Sequence, residues 1–191
     1  MLSDATKRVI VITGTPGVGK TTLVNGLKGK IVDSKIYNAT DIVNKFKLYS
    51  GKDKFGAKIV RMKQLERKIN EIVKKEDHST IIFEGHILAD IKIKGAIAIV
   101  LREHLKTIKT RLLKRGYPIE KIRENIVSEA LDYCGVSAAD NYHPVYELLN
   151  GKKTMAQIIL LAKGKSRKNR TSLNLTEELV GIIKSDSRFA I

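Results

Sequence analysis

The apolar run Val9-Ile10-Val11-Ile12 leads straight into Gly14 to Thr21, reading G-T-P-G-V-G-K-T, and no other feature restricts the chain as much. The spacing G-x-x-x-x-G-K-[ST] predicts a strand, a tight turn and a helix in that order. Its glycines let the backbone curl until successive N–H groups face one anion, at the positive end of the following helix. Lys20 would then neutralise the β- and γ-phosphates of a nucleoside triphosphate, and the Thr21 hydroxyl would ligate Mg²⁺. Glycine-rich turns between strand and helix also occur without ligands. Here strand, loop, Lys-Thr pair and the helical stretch 22–27 coincide, which favours the phosphate-binding reading.

At 191 residues the chain fits one domain, able to bury roughly 70% of the surface its unfolded form exposes. The single Cys134 excludes an internal disulfide and is expected to be a small apolar residue in a reducing compartment. The longest wholly apolar run, Ala96 to Leu101, is six residues, so neither a secretory signal nor a membrane span is expected. A cytoplasmic protein is the expectation.

Thirty-six lysines and arginines against 20 acidic residues give a formal charge of +16, more than one nucleotide and its metal require. An extended polyanion such as RNA is a candidate second partner. The excess gathers at Lys52 to Lys75, at Lys106 to Arg123, and at Lys163, Lys165, Arg167, Lys168 and Arg170. The alternative is lysine-rich solvated surface, common in thermophilic proteins.

Apolar β-type runs alternate with helical stretches, which predicts an α/β fold with a five-stranded parallel sheet covered on both faces. The strands are expected at Arg8 to Thr13, Ile31 to Tyr37, Thr80 to Phe83, Ala96 to Leu101 and Gln157 to Ala162. Helices are expected at 20–27, 41–48, 61–74, 105–115, 120–133 and 176–184, the last capped by Asn174 and Glu177. Connections are expected at Ser50 to Gly56, Gly116 to Pro118 and Gly164 to Ser172.

A second chemical signal is Glu84-Gly85-His86 at the carboxyl end of the third strand, where open parallel sheets place ligand groups. A carboxylate there can hold Mg²⁺ through water, and His86 can orient an attacking group. Taken alone, Glu or His after a strand is commonly a surface residue or a cap. A third signal is Arg111 and Arg115, four apart on one helical face before Gly116. Guanidinium groups on a closing segment suit a migrating phosphoryl group. Alternatively Arg111 pairs with a nearby acid and Arg115 meets the helix C-terminus.

Together, G-T-P-G-V-G-K-T-T, the run Ile36 to Asp41, the strand-end E-G-H and the L-x-x-R-G-Y…K…E-N-I…E pattern up to Glu129 resemble the adenylate kinase-like ATPases shared by archaea and eukaryotic nuclei, the coilin-interacting nuclear ATPase type. The resemblance spans about Val9 to Glu129. It implies a nucleoside monophosphate kinase fold, with a monophosphate-binding segment near 37–60 and a short lid near 114–124. It also implies ATP and AMP as substrates, ATPase activity, and a late role in small ribosomal subunit maturation through a platform ribosomal protein and rRNA. The source would be archaeal, or the compartment nuclear in a eukaryote.

Carried over by resemblance, Gly17, Val18, Gly19, Lys20, Thr21 and Thr22 form the ATP loop, and Arg115 is the lid's ATP contact. Glu84 stands where the family is expected to have Asp. Asn44 stands where the monophosphate-binding helix is expected to have arginine, so Asp41, Asn44 and Lys45, with Lys47 in reserve, are the acceptor candidates. Lys52 to Lys63 is basic where the human example is acidic. These departures keep a different small acceptor open, and the charge of +16 supports a nucleotide-switched assembly factor with little kinase activity. A regulatory GTPase is disfavoured, because Asn44-Lys45-Phe46-Lys47 lacks the aspartate of N-K-x-D and lies too early.

Overall fold

A computed structural model describes residues 7–165 and 173–189. Its main sheet has the order β2-β5-β1-β6-β7 and is parallel throughout, built from β1 (Arg8–Thr13), β2 (Ser34–Asn38), β5 (Thr80–Glu84), β6 (Ala96–Arg102) and β7 (Val145–Leu149). The two-residue period of β1 sends Ile10 and Ile12 to one face and Val9 and Val11 to the other. Each face has its own core. Ile82, Ile99 and Leu101 join the first, under α1 (Lys20–Leu27), α4 (Leu105–Lys114) and α5 (Ile119–Ala130). Ile81, Phe83 and Val100 join the second, under α2 (Ala39–Lys45), α3 (Met62–Lys75) and α6 (Tyr133–Asn141).

Several expectations need correction. Gln157 to Ala162 is not a strand but part of α7 (Thr154–Ala162), whose residues Ile158, Leu161 and Ala162 recur at helical spacing into the core. A short, wholly apolar run does not distinguish the two states by period. The fifth strand is β7, which the sequence hides by placing Glu147 at its centre, 3.4 Å from the Arg102 guanidinium. The helix expected at 120–133 breaks at Asp132, where φ is +53°, and restarts as α6. Asp tolerates that backbone better than most residues, and here its carboxylate meets Arg102 at 2.5 Å.

The connection expected at 50–56 instead holds most of β3 (Tyr49–Lys52) and the turn of a hairpin that β4 (Lys58–Val60) completes. Asp53 Oδ1 accepts from the amides of Phe55 and Ala57, both at 2.8 Å, and Gly56 takes a φ of +78° to close the turn. This hairpin stands off the main sheet between α2 and α3. The second strand begins three residues later than expected, and its last residue, Asn38, caps α2 by accepting from Thr40 N at 2.8 Å. The last helix, α8 (Thr176–Ser185), lies where expected, with Asn174 Oδ1 accepting from Thr176 N at 3.0 Å. Arg167, Lys168 and Arg170 of the expected basic loop lie outside the described residues, whereas Lys165 lies within them. Among the described residues no helix is long and apolar enough to cross a membrane.

Candidate active site

The loop at 14–19 leaves the end of β1 at the middle of the sheet and delivers Lys20 into the first turn of α1. Gly14, Gly17 and Gly19 have φ values of +134°, +98° and +103°. A Cβ on Gly14 would lie 2.3 Å from the Leu101 carbonyl oxygen, so the loop passes β6 at a distance only glycine allows. Val18 is fully buried in the core, so its side chain anchors the loop and only its backbone is left for a ligand. The Lys20 ammonium is buried too, donating to the carbonyls of Gly14 at 2.6 Å and Thr15 at 3.1 Å. Burial lowers its pKa to about 8, and the Glu84 charge opposes that fall.

Glu84 ends β5, paired beside Ile12 of β1, and is 4% exposed. The Thr21 hydroxyl donates to its Oε1 at 3.3 Å, and the Asn38 amide donates to its Oε2. Gly85 lets the chain pass close to α2, because a Cβ there would approach that of Ala39 to 2.6 Å. His86 reaches solvent at the mouth of the cleft. The surrounding protein, then the positive charge of Lys20, hold its imidazole pKa below the ordinary value, so the ring is neutral at pH 7.

These groups line one polar cleft of about 230 Å³. Gly17, Gly19, Lys20, Thr21 and Thr22 form one wall, Asn38, Thr40, Glu84 and His86 another, and Arg115 with Tyr117 the rim. Among the described residues, the Arg115 guanidinium makes no hydrogen bond or ion pair, so it is available to a ligand.

Other expected site residues are placed elsewhere. Arg111 does not line the cleft: its guanidinium pairs with Glu103 at 3.0 Å and donates to the Gly17 carbonyl at 2.9 Å, bracing the loop from behind. Asp41 and Lys45 line a separate groove with Tyr37, Phe46 and Ile72. Asn44 lies one turn beyond Thr40 on α2 and accepts a hydrogen bond from Lys58 of β4, whose ammonium also sits 4.3 Å from the Tyr49 ring centre. The hairpin tip reaches toward α5, with Lys121 3.9 Å from Asp53 and 5.4 Å from the centre of the Phe55 ring.

Sequence reasoning missed the polar layer that carries the loop. Thr15 Oγ1 donates to Glu129 Oε2 at 2.5 Å, and Glu129 Oε1 accepts from Arg102 Nε at 3.0 Å and from Glu103 N at 3.1 Å. Asn150, just after β7, donates to the Val18 carbonyl at 2.8 Å. Glu129 closes the E-N-I…E pattern, a signal without an evident role, and Asn150 carries no sequence signal.

A family model described as "AAA domain" matches residues 10–132. A Methanocaldococcus jannaschii protein named "Putative adenylate kinase" is 38% identical over 151 residues, covering 78% of this chain and 81% of that protein. A Pyrococcus furiosus protein of the same name is 35% identical, with 79% of each chain covered. The fold is similar to that of shikimate kinase from Acinetobacter baumannii, with a TM-score of 0.52 at 16% identity over 86% of this chain and 97% of that one. With a matched model across the phosphate loop, Glu84, Arg115 and Glu129, and archaeal relatives above 30% identity, the chain belongs to the adenylate kinase-like branch of the AAA-domain P-loop family.

Proposed function

We propose that this protein transfers the γ-phosphoryl group of Mg·ATP to AMP, giving two ADP, and hydrolyses ATP when no acceptor is bound. The supporting observation is the single cleft that gathers the phosphate loop, Thr21, the buried Glu84 and the Arg115 guanidinium, unpaired among the described residues. The adenylate kinase name of the archaeal relatives suggests the acceptor.

The loop amides and Lys20 hold the β- and γ-phosphates, and Arg115 lies on the rim where charge accumulates on the migrating group. An AMP phosphate oxygen attacks the γ-phosphorus while the bond to the bridging oxygen breaks, and ADP leaves. The AMP phosphate is already anionic, so this path needs no base. In hydrolysis a water proton must be removed, and neutral His86 at the cleft mouth can take it. The oxygen donors of Thr21 and Glu84, 3.3 Å apart, suit a hard divalent cation, with Glu84 reaching it through water. Bound there, Mg²⁺ would neutralise charge on the β- and γ-oxygens.

Asn44 supports a second acceptor reading, because α2 offers an amide, supported by Lys58, instead of a guanidinium. A monophosphate other than AMP is then the substrate. The charge of +16 supports an anionic partner, extending the coilin-interacting resemblance to precursor small-subunit RNA and its platform protein. Steep loss of particle binding with rising salt, at constant nucleotide affinity, is the result that reading requires.

The deciding experiment measures ADP formed from Mg·ATP with AMP, with each other nucleoside monophosphate, and with no acceptor. AMP should give the fastest transfer. A rate unchanged by every acceptor would sink the kinase reading and leave an ATPase.

A further inference from the structure

A phosphate cradle works only if its N–H groups are held toward the ligand, which means its carbonyls must be held away from it. Across a trans peptide the C=O and the next N–H point in opposite directions, so a tether on a carbonyl also aims the following amide. Two successive carbonyls of this loop are tethered from behind. Arg111 donates to the Gly17 carbonyl at 2.9 Å, and Asn150 Nδ2 donates to the Val18 carbonyl at 2.8 Å. Both donors meet one buried carboxylate oxygen, Glu103 Oε2, at 3.0 Å and 3.3 Å.

Asn150 is itself fixed. Its backbone N–H donates to the Arg102 carbonyl at 2.9 Å, extending the pairing of β6 with β7. The turn after it is closed by Thr154, whose hydroxyl donates to the Leu149 carbonyl and accepts from the Gly151 amide, both at 2.9 Å. Its side chain lies so close to the loop that a Cβ on Gly19 would be 2.6 Å from Nδ2. The Val18 N–H also closes a turn to the Thr15 carbonyl at a long 3.3 Å, so the amide that Asn150 controls alone is that of Gly19.

We infer that Asn150, Arg111 and Glu103 form a carbonyl clamp that positions the phosphate loop, with Asn150 aiming the Gly19 amide at the β-phosphate. None of the three lines the cleft, so they act through the loop as positioning residues. The inference rests on the reading of this loop as a phosphate cradle.

The test uses the full chain and two probes, inorganic pyrophosphate and Mg·ADP, titrated by calorimetry against wild type, N150A and R111Q. Each variant should bind both probes about tenfold more weakly, the equivalent of one lost oriented hydrogen bond, while the ligand-free melting temperature stays within a few degrees of wild type. A merely structural role would lower the melting temperature and leave pyrophosphate affinity intact, which overturns the proposal. Should N150A fail to fold, R111Q carries the test on its own, because Arg111 is partly exposed and touches the loop through one carbonyl. Wild-type protein that binds neither probe overturns the cradle reading itself, whereas wild-type binding matched by both variants overturns only the clamp.

Discussion

The two halves of the candidate site are built differently. The phosphate loop is sunk between strands, its Val18 is fully buried, and Thr15, Gly17 and Val18 each hydrogen-bond to a side chain from elsewhere in the chain. The proposed acceptor side, α2 and the hairpin, is anchored in the core by Ala39, Ile42 and Val43 but exposes Asp41, Asn44, Lys45 and Lys47, and its hairpin carries lysines over Tyr49 and Phe55 and a 3.9 Å ion pair to α5. Exposed pairs of that kind contribute about 0–1 kcal/mol each. Phosphate geometry is therefore built into the fold, and acceptor geometry is left adjustable. A site so divided fixes the reaction type more firmly than the substrate.

The largest break in this contrast comes from removing the cation of the rigid half. K20A should lower turnover about a hundredfold or more, on the order of 3 kcal/mol of transition-state stabilisation, with the fold retained. Steady-state rates with circular dichroism check both statements, and near-normal turnover in folded K20A would remove the loop from the chemistry. E84Q keeps the side chain's size and removes its charge beside Thr21, so transfer to AMP and hydrolysis should both slow, by roughly tenfold or more. Slowing of only one of them would show that Glu84 does not serve the shared donor side.

The phosphate loop was legible because its chemistry demands a contiguous pattern: three positive-φ glycines, then Lys20 and Thr21 at the start of a helix. Glu84, a weak signal by itself at a strand end, stood out only beside a phosphate loop on the neighbouring strand. What could not be read were partners distant in sequence. Glu129 reaches Thr15 across 114 positions and Asn150 reaches Val18 across 132, and only the strand order makes these contacts short. Arg111 stands out in the sequence as a cation suited to a migrating phosphoryl group, yet its guanidinium is spent on Glu103 and the Gly17 carbonyl. The misplaced fifth strand has a related origin, since Glu147 interrupts an apolar run to meet an arginine invisible in local sequence.

A third test sharpens the contrast through pH. The folded pKa of Lys20, about 8, lies below its ordinary 10.5, so the folded chain sheds this proton before the unfolded chain does. Ligand-free stability should therefore gain from this group as pH rises from about 8 to 10.5, while kcat/KM falls over the same window because the phosphate-binding cation is lost. Bound phosphate holds the proton, so kcat should fall at higher pH than kcat/KM. K20R, whose guanidinium stays charged, should lose this alkaline limb, and a limb that persists in K20R would belong to another group.

The smallest effect is expected where the site is softest. Asn44 hydrogen-bonds Lys58, and both side chains are exposed, so N44R should fold normally. A guanidinium one turn beyond Thr40 could grip a phosphate with two parallel hydrogen bonds, which an amide cannot do. The KM for AMP should then fall a few-fold, while hydrolysis without acceptor stays the same, because the phosphate loop lies on other elements. The comparison needs both rates from one preparation of each protein. An equal change in both would mean that α2 communicates with the rigid half after all, and an unchanged KM would place the acceptor phosphate elsewhere, with the groove beside Asp41 and Lys45 as the next position to probe.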